Sequence, residues 1–303
     1  HLASDMPLRL ERQPENEFDP NACALFDPAG AQVGFFNRRL SAALAPYVDA
    51  GVEYDVVVSE VTGGAHDESL GVNVVVSRRS TADDDGASVE VALARRERLA
   101  SLDPEALDAA IVSHLIGDRP LHEAQSRALA HLADGRSTLV VMATGRGKSL
   151  IFHAHAARIA IARNEASVFV YPLRALVADQ AFHLCDAFSA IGLDVRVVTG
   201  ESAPGARDEA FEALGAGGID VVLTTPEFLE HHAARFAASG RVRFVVVDEA
   251  HHVGLARAGH RPTYARLDRA LELLGGPVVL AVTATADTPT ADAIKRVLRV
   301  TTV

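Results

Sequence analysis

Six short apolar runs punctuate the second half of the chain: Thr138–Met142, Val168–Tyr171, Val195–Val198, Asp220–Leu223, Phe244–Val247 and Val278–Val282. Each is nearly continuous in apolar, mostly β-branched residues, as a strand buried on both faces must be. Stretches of helical period separate them. Strand and helix in regular alternation predict βαβ units and a parallel sheet covered by helices on both faces. The span 118–303 suits one α/β domain of this kind and is too short for two.

Upstream the pattern changes. Residues 89–99 and 104–115 carry helical period, and the second stretch opens with Asp103 as N-cap and Pro104 in its first turn. Ser80-Thr-Ala-Asp-Asp-Asp-Gly-Ala87 is polar and acidic without apolar period, which predicts an extended, solvated linker. The residues before it are strand-rich, with turns expected at Asp27-Pro28-Ala29-Gly30 and Gly63-Gly64. The chain thus divides into a small β module over 1–80, an acidic linker with connecting helices over 81–117, and the α/β domain over 118–303.

Charge follows this division. Residues 1–117 hold 20 acidic and 9 basic side chains, whereas 118–303 hold 20 of each, so the net charge of −11 lies outside the α/β domain. An acidic front half excludes a broad phosphate-binding surface, which needs stripes of Lys and Arg. Arg38-Arg39 and Arg78-Arg79 are the local basic pairs of residues 1–80. Cys23 and Cys185 are too few for a zinc site or a disulfide framework, and no stretch is apolar enough to span a membrane. His231-His232 and His251-His252 lack a second ligand cluster at metal-binding spacing. The expected setting is the cytoplasm, near the nucleoid, of a bacterium with a GC-rich genome.

The first candidate chemistry lies in Val140-Val-Met-Ala-Thr-Gly-Arg-Gly-Lys-Ser-Leu-Ile-Phe152, a buried strand, a glycine-bearing loop and a helix start. Lysine occurs at only two positions in 303 residues, Lys148 and Lys295. One of them stands where a phosphate would need a compact, rotatable ammonium. The turn Thr144-Gly145-Arg146-Gly147 lets backbone N–H groups converge at the positive end of the following helix. Lys148 would reach the β- and γ-phosphates, and the Ser149 hydroxyl would help hold Mg²⁺. The eight-residue Walker pattern asks for glycine where Met142 stands. A second site, Phe244-Val-Val-Val-Asp-Glu-Ala-His251, ends a buried strand in two carboxylates. There Asp248 can hold Mg²⁺ through water, and Glu249 can orient or deprotonate an attacking water.

Together with Gln125, Tyr171-Pro-Leu-Arg-Ala-Leu-Val-Ala-Asp-Gln180, Thr224-Thr-Pro-Glu227 and Thr283-Ala-Thr-Ala-Asp287, these segments resemble the ordered motifs of superfamily 2 helicases of the DEAD/DEAH-box type. The closest flavour is RecQ-like. Met-x-Thr-Gly-x-Gly-Lys-Ser is that family's form of the phosphate loop, which accounts for Met142, and Arg261-Pro262-Thr-Tyr264 follows the acid box as it does in RecQ proteins. The resemblance covers residues 118–303 and implies a first RecA-like domain that binds ATP and Mg²⁺. It places Gln125 on the adenine edge and His251, Thr283 and Thr285 between the ATP site and the nucleic-acid track. Pro172, Arg174, Thr225 and Pro226 would lie along the DNA strand, and Arg261 would couple DNA to ATP turnover. The chain departs from RecQ at Ala256 and His260, where aromatics are expected. Asp118-Arg119-Pro120 replaces the aromatic that often precedes Gln125, and the Arg119 guanidinium offers a plane on which adenine could stack.

The front module resembles a HIRAN domain, a small β-barrel attached to several DNA-remodelling helicases. The resemblance rests on Pro14-x-Asn16-x-Phe18-Asp19-x-Asn21-Ala22, on Gln32-Val-Gly34-Phe35 and on a helix at Leu40–Leu44 leading to Pro46. It implies capture of a 3′ DNA end by Phe18 and Asp19, with Phe35 beside them. The residues equally allow Phe18 and Phe35 to be core aromatics and Asp19 to cap its own turn.

The combined expectation is an ATP-dependent DNA helicase or translocase, monomeric, moving 3′ to 5′ on single-stranded or forked DNA. The chain is expected to be a fragment with weak activity, lacking the second RecA-like domain and its arginine finger. The alternatives are a DNA-end recognition module with a regulatory or remodelling ATPase half, a double-strand translocase, or an RNA helicase.

Overall fold

A computed structural model describes residues 2–3, 6–49, 52–62, 71–78, 82–172, 174–255 and 262–302. The chain forms two compact units, 1–88 and 89–303.

The first unit is a five-stranded antiparallel sheet, curled into a half barrel, in the order β3-β2-β1-β4-β5. Its strands are β1 (Pro7–Arg12), β2 (Cys23–Phe26), β3 (Gln32–Phe35), β4 (Tyr54–Thr62) and β5 (Gly71–Arg78), with helix α1 (Arg38–Asp49) between β3 and β4. The curl originates in β1, whose Pro7–Leu8 pair with β4 while Arg9–Arg12 pair with β2. The turn at Asp27 forms as expected: the Asp27 side chain accepts from the Ala31 N–H at 2.8 Å, and Gly30 takes φ +84°. The expected Gly63-Gly64 turn lies outside the described residues. Helix α1 is longer than expected and carries Pro46 inside it. The proline removes one N–H, and burial of Leu44 and Ala45 holds the helix together across it.

Three helices open the next stretch: α2 (Ala82–Ala100), α3 (Pro104–Ile116) and α4 (Glu123–Ala133). The segment expected to be an extended linker instead begins helix α2 at Ala82. Once Val89–Leu99 nucleates a helix, adding residues at its end costs little, so propagation overrides the weak local preference. Asp103 caps α3 as expected, accepting from the N–H groups of Glu105 and Ala106.

The remaining elements are β6 (Thr138–Val141), α5 (Lys148–Arg163), β7 (Ala166–Val170), α6 (Arg174–Ser189), β8 (Val195–Val197), α7 (Pro204–Ala216), β9 (Val221–Thr224), α8 (Pro226–Ala238), β10 (Val242–Val247), α9 (His252–Leu255), α10 (Leu267–Leu273), β11 (Val278–Thr283), α11 (Thr288–Leu298) and β12 (Thr301–Thr302). All six expected strands form, and β12 adds a seventh. The sheet is parallel throughout, in the order β12-β6-β11-β10-β7-β9-β8.

Alternation along each strand divides the core. Phe244 and Val246 pack with α3–α6 on one face, and Val245 and Val247 pack with α8, α10 and α11 on the other. All four are fully buried, each contributing about 1.5–3 kcal/mol by leaving water. This two-sided burial is why the strands read as unbroken apolar runs.

Candidate nucleotide site and nucleic-acid track

The carboxyl ends of β6, β7, β9, β10 and β11 share one edge of the sheet, and every motif segment of the α/β domain apart from Gln125 emerges there. In open parallel sheets this edge is where ligands bind, because loops leave it and helix N-termini face it.

The loop between β6 and α5 is built on left-handed backbone. Gly145 has φ +78° and Gly147 φ +76°, a conformation other residues adopt only under strain. Gly147 is the N-cap of α5, so the N–H groups of Lys148 and Ser149 open the helix. Lys148 Nζ donates to the carbonyls of Met142, at 3.1 Å, and Ala143, at 3.5 Å, folding over its own loop. Thr144 is exposed and Ser149 half-buried.

Gln125 is buried behind this loop. Its Oε1 accepts from the His122 N–H at 2.8 Å, and its Nε2 donates to the Gly147 carbonyl at 3.0 Å. The amide therefore ties the start of α4 to the phosphate loop. Arg119 donates through Nε to the Ile116 carbonyl. With Pro120, Ala130 and His155 it lines a cavity of about 530 Å³ between α3, α4 and α5.

The acid box continues β10 into a tight turn. The Asp248 N–H donates to the Val170 carbonyl, extending the ladder one residue beyond the strand, and Asp248 Oδ1 accepts from the Glu249 N–H at 2.9 Å. Glu249 takes φ +48°, a left-handed geometry costing a side-chain-bearing residue about 1–2 kcal/mol. Burial pushes the Asp248 carboxyl up to about 6. The Glu249 N–H opposes that shift, the Glu249 charge adds to it, and the Lys148 ammonium partly offsets it.

His251 joins this turn to the end of β11. Its Nδ1 lies 3.0 Å from Thr283 Oγ1 and 3.2 Å from Glu249 Oε2. Thr283 spends its own proton on the Thr285 carbonyl at 3.0 Å, so its oxygen can only accept from the imidazole. Nδ1 therefore carries a hydrogen, and one chain of bonds runs from Glu249 through His251 and Thr283 to Thr285.

Along the same edge, Thr225 caps α8 by accepting from the Phe228 N–H, and both Thr225 and Pro226 are buried. Their side chains face the protein, leaving the α8 N-terminus as the group that can face a ligand. Pro172 is also buried. The Arg174 side chain and all of Arg261 lie outside the described residues. His231 is exposed, whereas His232 packs against Phe228 with ring centroids 4.3 Å apart. No group of three or more metal-ligating side chains is found among the described residues.

In the first unit, Phe18 is 83% exposed and Phe35 48%, so neither is a core aromatic. Asp19 does cap its turn, accepting from the Asn21 N–H at 2.9 Å. Arg38 donates to the Phe18 carbonyl at 2.9 Å and stands 3.9 Å from Asp19 Oδ2, which places a guanidinium on the backbone of the Phe18–Asp19 turn.

Residues 122–294 match the family described as DEAD/DEAH box helicase, and residues 1–79 match the HIRAN domain. ATP-dependent DNA helicase Q-like 5 of Arabidopsis thaliana is 31% identical over 194 residues, covering 63% of this chain and 20% of that protein. ATP-dependent DNA helicase RecQ of Haemophilus influenzae is 25% identical over 187 residues, 61% of this chain and 29% of that protein. The chain thus spans under a third of the length of these relatives. Among solved structures, the helicase MrfA superposes with a TM-score of 0.52 at 22% identity, over 67% of this chain and 32% of that one. Its complex with DNA and AMPPNP gives 0.53 at 22% identity, over 65% and 28%. These two likenesses show the fold.

Proposed function

The chain belongs to the DEAD/DEAH box helicase family, and we propose that it is the nucleotide-binding part of an ATP-driven motor acting on DNA. The observation that carries this reading is the convergence, at one sheet edge, of the left-handed glycine loop, the Asp248–Glu249 turn and the His251–Thr283 bond.

Thr144, Gly145, Gly147 and Lys148 cradle the triphosphate, and Gln125 holds the loop from behind, its amide keeping one further N–H and one lone pair for the adenine edge. The donor set suits a hard cation: the Ser149 hydroxyl and the Asp248 carboxylate are the oxygen ligands Mg²⁺ takes. When bound, that ion would neutralise charge on the phosphate oxygens. Lys148 exchanges its bonds to the Met142 and Ala143 carbonyls for phosphate oxygens. Glu249 orients the attacking water, and its bond to His251 connects that task to Thr283 and Thr285. Pro172, Arg174, Thr225, Pro226 and Arg261 mark the DNA strand, gripped mainly through its backbone. Phe18, Asp19 and Phe35, with Arg38, take a 3′ DNA end. Movement runs 3′ to 5′ along single-stranded or forked DNA, by one monomer.

Catalysis of this kind needs a second RecA-like domain to supply an arginine, a group worth roughly 10³–10⁵ in rate in P-loop enzymes. The 303-residue chain alone therefore binds nucleotide and turns it over slowly. The experiment is ATPase activity with single-stranded DNA, duplex DNA or RNA as activator, alongside mant-ATP (methylanthraniloyl-ATP) binding, with Lys148→Ala as control. Binding lost in the variant, with slow turnover raised by single-stranded DNA, supports the motor. Stimulation by RNA or duplex alone would reassign the substrate, and absence of nucleotide binding would defeat the reading.

A second reading, a DNA-end recognition module with a regulatory ATPase half, is favoured by the exposed Phe18 ring and by Arg38, which is bonded to the Phe18 carbonyl. Binding of a 3′-ended oligonucleotide without any ATPase stimulation would select it.

A further inference from the structure

Tyr171 closes β7 at the sheet edge that carries the acid box. The ladder places it beside Asp248: Val170 pairs with Val247, the Asp248 N–H donates to the Val170 carbonyl, and the Tyr171 N–H donates to the Thr224 carbonyl. In a parallel ladder, register neighbours point to the same face. Tyr171 packs in the same core layer as Phe244 and Val246, the face that also carries α5 and the phosphate loop. Asp248 follows Val246 on that alternation.

The phenol is buried completely, and its hydroxyl has no hydrogen-bond partner among the described residues. Phenylalanine would fill the same space without a polar atom to desolvate. A buried hydroxyl without a partner is a cost to folding unless some state of the protein supplies one. The acceptor on the same face of the neighbouring strand is the Asp248 carboxylate. Consistent with this, burial and the Asp248 charge both hold the phenol protonated, so it is a donor at every working pH.

We infer that Tyr171 is a positioning residue for the acid box, its hydroxyl donating to the Asp248 carboxylate when that group holds a divalent cation. The inference rests on the nucleotide-binding reading above. A donor in a dry site stabilises the charged carboxylate and restricts its rotation, so the cation meets an oriented ligand.

The test compares the chain with Tyr171→Phe and Ser167→Ala. Ser167 carries a second buried hydroxyl without a partner among the described residues, on the same strand at its other end. Binding of mant-ATP is followed by fluorescence across a Mg²⁺ titration and in EDTA, with a melting curve for each variant. The Tyr171→Phe midpoint for Mg²⁺ is expected to rise roughly ten- to a hundredfold, as loss of one hydrogen bond to a charged group implies. Affinity in EDTA and the Ser167→Ala Mg²⁺ titration are expected to stay at wild-type values, and the melting temperature of each variant to be equal or higher, since each loses a buried hydroxyl without a partner among the described residues. A Mg²⁺ midpoint within twofold of wild type in Tyr171→Phe overturns the inference and leaves the nucleotide reading standing. An equal shift in Ser167→Ala, or a melting temperature several degrees lower in Tyr171→Phe, also overturns it, because the hydroxyl would then be structural. Failure of the unmodified chain to bind mant-ATP overturns both.

Discussion

The side-chain amide of Gln125 sits against Gly147, donating to its carbonyl at 3.0 Å, while a Cβ at Gly147 would lie 2.6 Å from the same Nε2. The phosphate loop is thus packed from behind by a polar group that leaves room for no side chain. Gly145, two residues earlier, has the same backbone handedness and open space around it.

Alanine at these two glycines separates strain from collision. Gly145→Ala is expected to cost about 1–2 kcal/mol for left-handed backbone alone. Gly147→Ala carries the same strain and also displaces Gln125, so its melting temperature and mant-ATP affinity should fall further. Removing the obstacle in Gly147→Ala/Gln125→Ala should recover part of the melting temperature, which a thermal melt of the double variant checks.

The Asp248 carboxyl titrates near 6 in the folded chain, against about 3.9 when unfolded. Between those values the folded form holds the proton the unfolded form has released, so stability falls as pH rises from about 4 to 6. The loss is on the order of 3 kcal/mol in the absence of a cation. Asp248→Asn should therefore be more stable than the parent at pH 7.5 and equal to it at pH 4. Urea denaturation at both pH values reads this directly, and a variant less stable at pH 7.5 would contradict it.

Asp220, 1% exposed, receives both terminal nitrogens of Arg96 at 3.0 Å and the Asp194 N–H at 3.0 Å, with Arg241 3.7 Å away. Asp220→Ala leaves two arginines facing each other with no counter-charge and is expected to cost about 3–5 kcal/mol. Arg96→Met leaves Asp220 with Arg241 and its backbone donor and should cost clearly less. Equal losses in urea denaturation would show that the pair, not the carboxylate, is the unit of stability.

Phe18 and Asp19 should respond in opposite ways. Phe18→Ala removes an exposed ring and is expected to leave stability within about 0.5 kcal/mol while weakening binding to a 3′-ended oligonucleotide. Asp19→Ala removes the cap on Asn21 and should cost about 1 kcal/mol in stability. Fluorescence anisotropy with oligonucleotides ending in 3′-hydroxyl or 3′-phosphate measures the first, and thermal melts the second.

Much of the α/β domain was legible because its signals are local. A strand buried on both sides must be apolar throughout, so Phe244–Val247 announces itself, and a Gly-x-Gly-Lys-Ser turn carries its backbone requirements in its composition. The capping residue Asp103 was readable for the same reason. Local preference misled where cooperativity or context decided. The polar stretch after Ala82 is helical because α2 propagates into it, and Pro46 does not end α1 because the buried residues beside it hold that helix together.

By itself, the sequence determined the class of fold, the position of the phosphate loop and acid box on strand ends, and the place of charge outside the α/β domain. Those properties depend on residue type and spacing within a few turns of chain. Tertiary structure alone decided the strand order that sets β11 between β6 and β10, and with it the bond from His251 to Thr283. It alone brought Arg96 onto Asp220 across 124 residues, left Phe18 in water, and set Tyr171 next to Asp248 in the ladder. These are matters of register and long-range packing, settled by which surfaces exclude water together and not by any residue's local preference.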